Sequence, residues 1–511
     1  AAANLLPAMI EAWHARAPLV ALTADRPHDL RDTGANQAIR QADLFGGHTR
    51  WAFDLPPPVV EDRALRHVRA VACRAVAEAR GPPAGPVHLN VPLPKPLEPT
   101  VVEGDLPPGF AEEHPLAARG RPEGRAFVES LVTPRAPQRD VVDAMLGALG
   151  RPRGLIVVGP SDHAELPGAV AALARASGFP VLADPLSGLR FPAAGEPVAS
   201  YDAFLGAPAA EALAPDVVLR LGAAPTNDAL LQWLERTAAP HVIVDEAPWA
   251  RDPTHRQGLR VAADPARACE ALAGGLAGQG ETAWRDAWGS VDQAVADALE
   301  HSLEEGFFEA TALATVLDGL PDAATLMVGS SLPVRDLDRF GRPGAKRLRV
   351  LANRGASGID GVTSTALGAS AAGAQPLVLV TGDLSFTHDL SGLMAVKRLG
   401  LRAVLVVLHN DGGRIFEQLP AARHGPRFEE LFLTPHGLDF EPAAQMFGAD
   451  FARAEDAKVL REELARALDA PRATVLEVRF DPASARAHRQ AAHATAARAA
   501  EHALRGLARA G

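Results

Sequence analysis

Residues 376–410, PLVLVTGDLSFTHDLSGLMAVKRLGLRAVLVVLHN, decide the fold. The apolar runs at 376–381 and 402–408 are short and continuous, which is typical of strands buried on both faces. Between them, the apolar residues of 389–399 recur at helical spacing and predict an amphipathic helix. Two strands joined by a right-handed helical crossover lie parallel in one sheet. The stretch therefore predicts an α/β fold with a doubly wound parallel sheet.

Polar residues follow both predicted strands. Asp383 comes directly after the first strand in GDLS, and Asn410 and Gly412 follow the second in HNDGG. The carboxyl ends of parallel strands meet at one edge of a sheet, where open α/β sheets bind ligands. A carboxylate, an amide oxygen and a backbone carbonyl are hard ligands that suit Mg²⁺ together with phosphate oxygens. Either motif alone also fits an ordinary turn, but the pair predicts a site for a divalent metal and a diphosphate.

Composition narrows the class of protein. The net charge of −11 over 511 residues argues against a nucleic-acid surface, which needs a concentrated basic face. The two cysteines, Cys73 and Cys269, lie in Ala-rich stretches and are interpreted as small core residues, as in a reducing compartment. No apolar stretch approaches the length of a membrane span, and no signal peptide opens the chain. We therefore expect a cytoplasmic protein with neither a nucleic-acid partner nor a membrane span.

The chain is long enough for about three domains. Residues 1–108 predict a first α/β domain that is truncated at its N-terminus, because 1–15 already form a helix leading into a strand. The proline-dense stretch 92–108 predicts an extended linker. Residues 135–278 alternate strands and helices without a GxGxxG motif, which predicts a central domain without a cofactor. Residues 303–511 predict a third domain that holds the metal and diphosphate site.

A second polar loop, 23–38 (TADRPHDLRDTGANQA), follows a predicted strand and is expected to begin a helix at Gly34. It carries the guanidinium of Arg26 and the side-chain amides of Asn36 and Gln37. These groups suit a carboxylate or a polar heterocycle. The alternative is a surface arginine beside a helix-capping asparagine.

Two further loops could bind anions. In 353–361 (NRGASGIDG), Arg354 offers a planar fork and Ile359 is an apolar residue among small loop residues. Ser331 and Arg335 follow a strand predicted at 325–328 and share one face if the segment is helical. A glycine-rich turn and a solvated arginine are the alternatives.

Four sequence segments, taken together in this order, are more specific than the metal motif alone: LTADRPHDLRDTGANQAIRQ, NRGASGIDGVTSTALG, GDLSF and HNDGGRIFEQLP. They resemble the MenD family of thiamine diphosphate-dependent enzymes, the 2-succinyl-5-enolpyruvyl-6-hydroxy-3-cyclohexene-1-carboxylate synthases of menaquinone biosynthesis. The resemblance runs through nearly the whole chain. The general thiamine diphosphate signature, GDG followed by NN, is altered, with Leu384 for its last glycine and His409 for its first asparagine.

The resemblance implies three domains, which are a pyrimidine-binding domain, a central domain without cofactor and a diphosphate-binding domain. It also implies a homodimer or homotetramer with active sites at the subunit interface. The implied cofactors are thiamine diphosphate and Mg²⁺, or Mn²⁺ in its place. The implied substrates are 2-oxoglutarate, which is decarboxylated with the cofactor as electron sink, and isochorismate, to which the resulting carbanion adds.

The resemblance also implies residue roles. Metal ligands are expected at Asp383, Asn410 and Gly412. Further cofactor contacts are expected at Ile359, Leu384 and Ser385, with Ile359 wedging the bent cofactor. Catalytic residues are expected at Arg26, Asn36 and Gln37, with Gln37 facing the reacting carbon. Substrate carboxylates are expected at Ser331, Arg335 and Arg354, and the pocket wall at Ile415, Phe416 and Leu419.

Two departures from the family pattern leave alternatives open. The family's activating glutamate is expected before Ala1, because Glu11 lies on the helix that follows that region. Asp228 stands where relatives tend to carry a substrate-binding lysine. The alternatives are another 2-oxoacid carboligase or decarboxylase, such as an acetolactate synthase, and a non-catalytic protein that binds the cofactor or a metabolite.

Overall fold

The computed structural model describes residues 1–95, 97, 103–194, 196–247, 251–256 and 258–510. The chain forms two compact units, here called unit 1 and unit 2. Unit 1 comprises Ala1–Thr133 and Arg354–Ser357, and unit 2 comprises Pro134–Asn353 and Gly358–Gly511. The named strands form three sheets, and every pairing between them is parallel. The predicted α/β class with three parallel sheets is confirmed.

Unit 1 is built on a three-stranded sheet in the order β1–β3–β2. Its elements in chain order are α1 (Leu6–Ala15), β1 (Leu19–Asp25), β2 (Trp51–Asp54), α2 (Asp62–Arg80), β3 (Pro86–Pro92), α3 (Phe110–Glu113) and α4 (Pro115–Arg119). Val87 and Leu89 of the middle strand are buried in one apolar cluster with Val71 and Ala75 of α2. This packing explains why a mostly apolar run forms the central strand.

The helix expected to begin at Gly34 is wrong, because residues 34–45 form turns and irregular backbone. Asp32, Gly34 and Gln37 have φ angles of 56°, 76° and 64°. Closely spaced residues in the left-handed region interrupt the hydrogen-bond pattern of an α-helix. The segment instead turns back towards Arg26.

The central sheet of unit 2 has the order β5–β4–β6–β7–β8. Its elements are α5 (Arg139–Leu149), β4 (Gly154–Val158), α6 (Leu166–Ser177), β5 (Val181–Ala183), β6 (Val217–Leu221), α7 (Asp228–Arg236), β7 (His241–Asp245), β8 (Gly258–Ala262), α8 (Pro265–Ala273) and α9 (Thr282–Glu304). The apolar runs at 154–158, 181–183, 217–221 and 241–245 predict strands, and they form β4, β5, β6 and β7. The edge strand β8 was not predicted, because only one of its five side chains is buried and its apolar pattern is weak.

The last sheet of unit 2 has the order β10–β9–β11–β12–β14–β13. Its elements are α10 (Glu309–Gly319), β9 (Thr325–Val328), α11 (Leu332–Phe340), β10 (Arg349–Leu351), α12 (Val362–Ala371), β11 (Leu377–Gly382), α13 (Asp383–His388), α14 (Met394–Leu399), β12 (Val404–His409), α15 (Pro426–Phe428), α16 (Glu441–Met446), β13 (Asp450–Ala454), α17 (Ala457–Asp469), β14 (Thr474–Arg479) and α18 (Pro482–Ala510). The opening stretch thus forms adjacent parallel strands, as predicted.

Both faces of this sheet are covered, as a doubly wound arrangement requires. Val378 and Val380 of β11 pack into one apolar core, and Leu377 and Leu379 pack into another. Successive side chains of a strand point to opposite faces. The continuous apolar run in β11 therefore reflects burial on both sides.

The single helix predicted over 389–399 is broken in the structure. A 3₁₀ turn at Leu390–Leu393 precedes α14. Asp389 is drawn instead to α12, where its carboxylate accepts hydrogen bonds from the backbone N–H of Ser364 at 2.6 Å and from its hydroxyl at 2.9 Å. The tertiary contact explains why the apolar spacing did not yield one regular helix.

The central and last sheets share a buried polar junction within unit 2. Arg190 is fully buried and donates to Asp338 Oδ1 at 2.6 Å and to the Asp338 carbonyl at 2.6 Å. The same carboxylate accepts from the Tyr201 hydroxyl at 3.0 Å and from Asn227 Nδ2 at 2.6 Å. Burial of Asp338, opposed by the positive charge of Arg190, leaves its pKa raised to about 6.

The bounds 1–108, 135–278 and 303–511 remain predictions. The predicted linker at 92–108 lies partly outside the described residues, at 96 and 98–102. Among the helices of the described part of the chain, none has the length and apolar character needed to cross a membrane.

Candidate active site

Asp383 and Asn410 meet at the carboxyl edge of the last sheet. Gly382 lies beside Leu408 in the register of β11 and β12, so each polar residue follows within two positions of that pair. Asp383 is 2% exposed. Its Oδ1 accepts the Leu384 N–H at 2.7 Å, and its Oδ2 accepts the Gly412 N–H at 3.0 Å. The structure therefore brings the three predicted metal ligands together on two adjacent strand ends.

The amide of Asn410 is held by a residue that the sequence did not indicate. Asn410 Nδ2 donates to Glu309 Oε1 at 2.6 Å, and both side chains are buried. A carboxylate can only accept this bond, so the amide oxygen of Asn410 is left for another partner. That orientation is the one an oxygen ligand to a cation needs.

Two histidines, His436 and His409, lie close to Asp383. His436 Nε2 lies 3.3 Å from Asp383 Oδ2, near enough for an ion pair although it is not aligned as a hydrogen bond. The Asp383 carboxylate raises the pKa of His436. Because His436 Nδ1 accepts the Leu438 N–H at 3.0 Å, the Nε2 atom carries the proton in the neutral ring.

His409 is the position at which the thiamine diphosphate signature is altered. Its Nδ1 lies 2.7 Å from Glu477 Oε1, and its ring stacks on His436 with centroids 5.1 Å apart and planes at 19°. Burial works against the charge of Glu477, but hydrogen bonds from His409 and Arg453 outweigh it and lower the pKa of Glu477 to about 2.

Asp383, His409 and His436 bring possible ligand atoms within 4.8 Å of one another. Nearly parallel stacked rings cannot both direct in-plane lone pairs at one ion, because a metal bound to imidazole lies in the plane of the ring. The oxygen donors therefore suit a cation better than the two rings do, and His436 contacts Asp383 instead. Carboxylate, amide and carbonyl oxygens form a donor set that fits Mg²⁺.

Two further predicted cofactor residues also meet in this part of unit 2. Ser385 Oγ, in the first turn of α13, donates to the Ile359 carbonyl at 2.6 Å. Leu384 is the second residue of that helix. The hydrogen bond ties the predicted Ile359 wedge to the helix that begins at Asp383.

The three predicted catalytic residues meet in unit 1. Arg26 Nη2 donates to Gln37 Oε1 at 3.1 Å, and Arg26 Nε donates to the Asn36 carbonyl at 3.3 Å. The Gln37 oxygen is therefore occupied by a guanidinium. Its Nε2 remains the group that can donate to a substrate oxygen.

A network of hydrogen bonds holds the loop that contains Arg26. Asn90 donates through Nδ2 to Asp25 at 2.9 Å and to Asp54 at 2.8 Å, and Asp25 Oδ1 accepts the Arg26 N–H at 2.8 Å. Arg31 holds Asp54 through two bonds of 2.7 and 2.9 Å. Hydrogen bonds from Arg31, followed by that from Asn90, lower the pKa of Asp54 to about 2.

Arg354 belongs to a loop of unit 1 that is anchored on α1. Glu11 accepts the N–H groups of Gly355 and Ala356, each at 2.6 Å. Gly355 has no room for a side chain, because a Cβ there would overlap backbone atoms of Glu11 and Ala15. Glu11 therefore acts as the anchor of the Arg354 loop, a role that the sequence did not reveal.

Ser331 and Arg335 lie at the start of α11, as the spacing predicted. Arg335 Nη1 donates to the Ser331 carbonyl at 3.0 Å. Arg335 lines a cavity of about 190 Å³ that also contains Asp228, Arg339 and Arg489. In the described part of the chain Arg335 has no carboxylate within ion-pair distance. Its charge is therefore available to an anionic ligand.

Ile415, Phe416 and Leu419 lie on and just after a 3₁₀ turn at Arg414–Gln418. Phe416 and Leu419 are 37% and 45% exposed. They follow Asn410 closely in sequence, and their role as the pocket wall stays a prediction. A larger cavity of about 460 Å³ opens at the opposite end of the sheet, and its described lining residues include none of the predicted site residues.

Comparisons with known proteins give two family matches within the chain. Residues 132–328 match a family described as the middle domain of thiamine pyrophosphate enzymes, and residues 342–478 match the C-terminal thiamine pyrophosphate-binding domain.

Relatives extend the similarity over nearly the whole chain. The chain is 45% identical to the 2-succinyl-5-enolpyruvyl-6-hydroxy-3-cyclohexene-1-carboxylate synthase of Halobacterium salinarum over 496 residues, covering 96% of the chain and 84% of the relative. It is 44% identical to the synthase of the same name from Roseiflexus castenholzii, covering 97% and 86%. It is 43% identical to the synthase of the same name from Haloarcula marismortui, covering 96% of the chain and 84% of the relative.

Proposed function

The chain belongs to the family of 2-succinyl-5-enolpyruvyl-6-hydroxy-3-cyclohexene-1-carboxylate synthases, and we propose that it performs the reaction of that family in menaquinone biosynthesis. The proposed reaction decarboxylates 2-oxoglutarate and adds the remaining four-carbon unit to isochorismate. The observation that carries the proposal is the buried Asp383 carboxylate, joined through the Gly412 N–H to the loop that follows Asn410. The relatives' shared name does not favour an acetolactate synthase-like or a non-catalytic reading.

The metal and the diphosphate are proposed to bind at the edge of the last sheet. Asp383, Asn410 and the carbonyl of Gly412 would hold Mg²⁺, or Mn²⁺ in its place. When bound, thiamine diphosphate supplies an electron sink for the pair left behind as CO₂ departs. Leu384 and Ser385 would contact the cofactor, and the hydrogen bond from Ser385 would keep Ile359 in place as the wedge.

The substrates are proposed to be held by their carboxylates. Arg335 offers this cavity a guanidinium that has no carboxylate within ion-pair distance among the described residues, and Ser331 directly precedes the same helix. Arg354 would supply a second guanidinium. Polyanionic substrates need such groups for orientation. Ile415, Phe416 and Leu419 would exclude water from the reacting atoms.

The catalytic residues are proposed to be those gathered around Arg26, with Gln37 facing the reacting carbon. The guanidinium fixes the oxygen of Gln37, so the Gln37 amide would donate a hydrogen bond to the oxygen of the reacting carbonyl. Asn36 would lie beside Gln37, because its backbone carbonyl accepts a hydrogen bond from Arg26 Nε.

Of the acidic residues that line this cavity, Asp202, Asp336 and Asp338 each pair with an arginine. Asp228 opposes the proposal. It begins α7 and lies in the same cavity as Arg335. A carboxylate repels a substrate carboxylate, so the substrate would have to bind nearer to Arg335 than to α7.

The reaction is tested by supplying the full chain with 2-oxoglutarate, isochorismate, Mg²⁺ and thiamine diphosphate. We expect isochorismate to be consumed with release of one CO₂ per product. Faster turnover of pyruvate than of 2-oxoglutarate would instead support an acetolactate synthase-like enzyme. Binding of the cofactor without any release of CO₂ would support the non-catalytic reading.

A homodimer or homotetramer with active sites at the subunit interface is proposed from the family resemblance alone. Light scattering of the full chain measures this directly. A cytoplasmic location likewise stays a prediction.

A further inference from the structure

Glu309 lies behind Asn410, and among the described residues it forms no hydrogen bond to any other predicted substrate or cofactor residue. It is the first residue of α10 and is 4% exposed. Its Oε1 accepts Asn410 Nδ2 at 2.6 Å. The two residues are 101 positions apart, so the contact exists only in the folded chain.

Glu309 is itself held by a buried arginine from the C-terminal helix α18. Arg489 Nη2 donates to Glu309 Oε2 at 3.0 Å and to Asp336 Oδ2 at 2.8 Å. Arg489 Nη1 also bonds Asp336 Oδ1. With each Glu309 oxygen given to a different donor, the carboxylate has one orientation in which both bonds are made.

This arrangement removes the freedom of the Asn410 amide to rotate. Two orientations of an asparagine amide differ by exchanging its oxygen and its nitrogen. If Asn410 turned its oxygen towards Glu309, two acceptors would face each other in a buried site, and the lost hydrogen bond would be costly.

We propose that Glu309 is a positioning residue that holds the Asn410 oxygen towards the cation, with Arg489 holding Glu309 in turn. The inference rests on the proposed function, because it assumes that Asn410 is a metal ligand. The partner of a ligating group fixes its direction, and loss of such partners typically weakens metal binding by about 10- to 100-fold.

The first test replaces Glu309 by Gln in the full chain. Two facing amides can pair in either sense, so Glu309→Gln lets Asn410 present its nitrogen to the cation. We expect the apparent Mg²⁺ affinity, measured by calorimetry with saturating thiamine diphosphate, to fall by about tenfold. The control Glu501→Gln removes an exposed carboxylate that pairs with Arg505 on α18, and it should leave the affinity unchanged.

The second test exchanges the two functional groups. Asn410→Asp alone puts a carboxylate against Glu309 and should weaken Mg²⁺ binding more than Glu309→Gln does. The double variant Asn410→Asp with Glu309→Gln restores a donor and an acceptor, now reversed, and presents a carboxylate oxygen to the cation. We expect it to recover most of the affinity that Asn410→Asp loses.

If Glu309 had only a structural role, both variants that carry Glu309→Gln would have a lower melting temperature. The double variant would then recover none of the Mg²⁺ affinity that Asn410→Asp loses. An Mg²⁺ affinity of Glu309→Gln within twofold of the parent, or an exchange that fails to recover binding, overturns the inference. If the parent binds Mg²⁺ and depends on Glu309 but does not consume isochorismate, the proposed function fails and the positioning role stands. If the parent binds no Mg²⁺ with thiamine diphosphate, both are overturned.

Discussion

At position 412 only a glycine satisfies both the backbone and its surroundings. Its φ is 122°, which side chains rarely adopt, and a Cβ would overlap the carbonyl oxygen of Leu433. Gly382, which directly precedes Asp383, has φ −81° and open space around it. The structure therefore requires a glycine at position 412, whereas position 382 has room for a side chain.

We therefore expect opposite results from two alanine substitutions. Gly412→Ala should lower the free energy of unfolding by about 1–3 kcal/mol, because it adds backbone strain in a buried loop. Gly382→Ala should lower it by less than about 1 kcal/mol, as for a glycine at a helix N-cap. Urea-induced unfolding of both variants measures the difference, and equal losses would contradict the assignment.

His436 shows how much of a site can be invisible at the level of one residue. The spacing of His14, His48, His388 and His436 along the chain shows no metal-ligand pattern. His436 reaches Asp383 only because the Asp411 carboxylate accepts the N–H of His436 at 2.9 Å and that of Gly437 at 2.8 Å.

At the scale of elements, the loop at 353–361 is divided between the two units. Its residues 354–357 belong to unit 1, where they are held by Glu11 on α1. The loop therefore owes its position to a helix more than 300 residues away in sequence. No local pattern in NRGASGIDG could have shown this.

Removing the anchor should release that loop. We expect Glu11→Ala to increase the rate of tryptic cleavage after Arg354 several-fold, because the backbone N–H groups of Gly355 and Ala356 lose their acceptor. Mass spectrometry of timed digests measures the cleavage. Glu78→Ala, which removes an exposed carboxylate paired with Arg74 on α2, serves as the control, and equal rates in the two variants would argue against the anchor.

At the scale of the whole molecule, unit 2 contains two sheets joined by the Arg190 junction. Arg190→Met leaves the Asp338 carboxylate buried without its cation. Breaking a buried ion pair on one side costs about 3–5 kcal/mol. We expect that loss in the free energy of unfolding, measured with urea.

The matched control for Arg190→Met is Arg342→Met. Arg342 pairs with Glu300 and Asp297 at the surface, and its side chain is 41% exposed. Such pairs contribute about 0–1 kcal/mol. A loss for Arg190→Met no larger than for this control would show that the junction does not join the two sheets energetically.

Acid should destabilise unit 2 through its buried histidines. Burial, followed by the charge of Arg220, lowers the pKa of His241 to about 4, and burial, followed by the charges of Arg339 and Arg489, lowers that of His493 to about 3. Below pH 6.5 the unfolded chain binds these protons and the folded chain does not, so the free energy of unfolding falls as the pH falls.

Replacement of His241 by Leu should remove its share of this dependence. Between pH 7.5 and pH 5.0 the parent should lose about 2 kcal/mol more than His241→Leu, since each pKa unit corresponds to about 1.4 kcal/mol. Urea unfolding at the two pH values measures the difference. A parent and variant with the same slope would contradict the lowered pKa.

The sequence by itself determined the elements whose residues are buried on both faces. Continuous apolar runs predicted β4, β6, β7 and β9 with the bounds the structure shows, because such runs have few other ways to leave water. It also predicted that Asp383 and Asn410 lie together, since they follow adjacent parallel strands and must emerge at one edge.

Only the tertiary structure decided what holds the candidate site residues and the Arg354 loop in place. Glu309, His436 and Glu11 act across 101, 53 and 344 positions on Asn410, Asp383 and Gly355. Their chemistry depends on direction and distance between groups that chain spacing does not record. Polar contacts of this kind are set by how buried surfaces pack, so they could be read only from the folded chain.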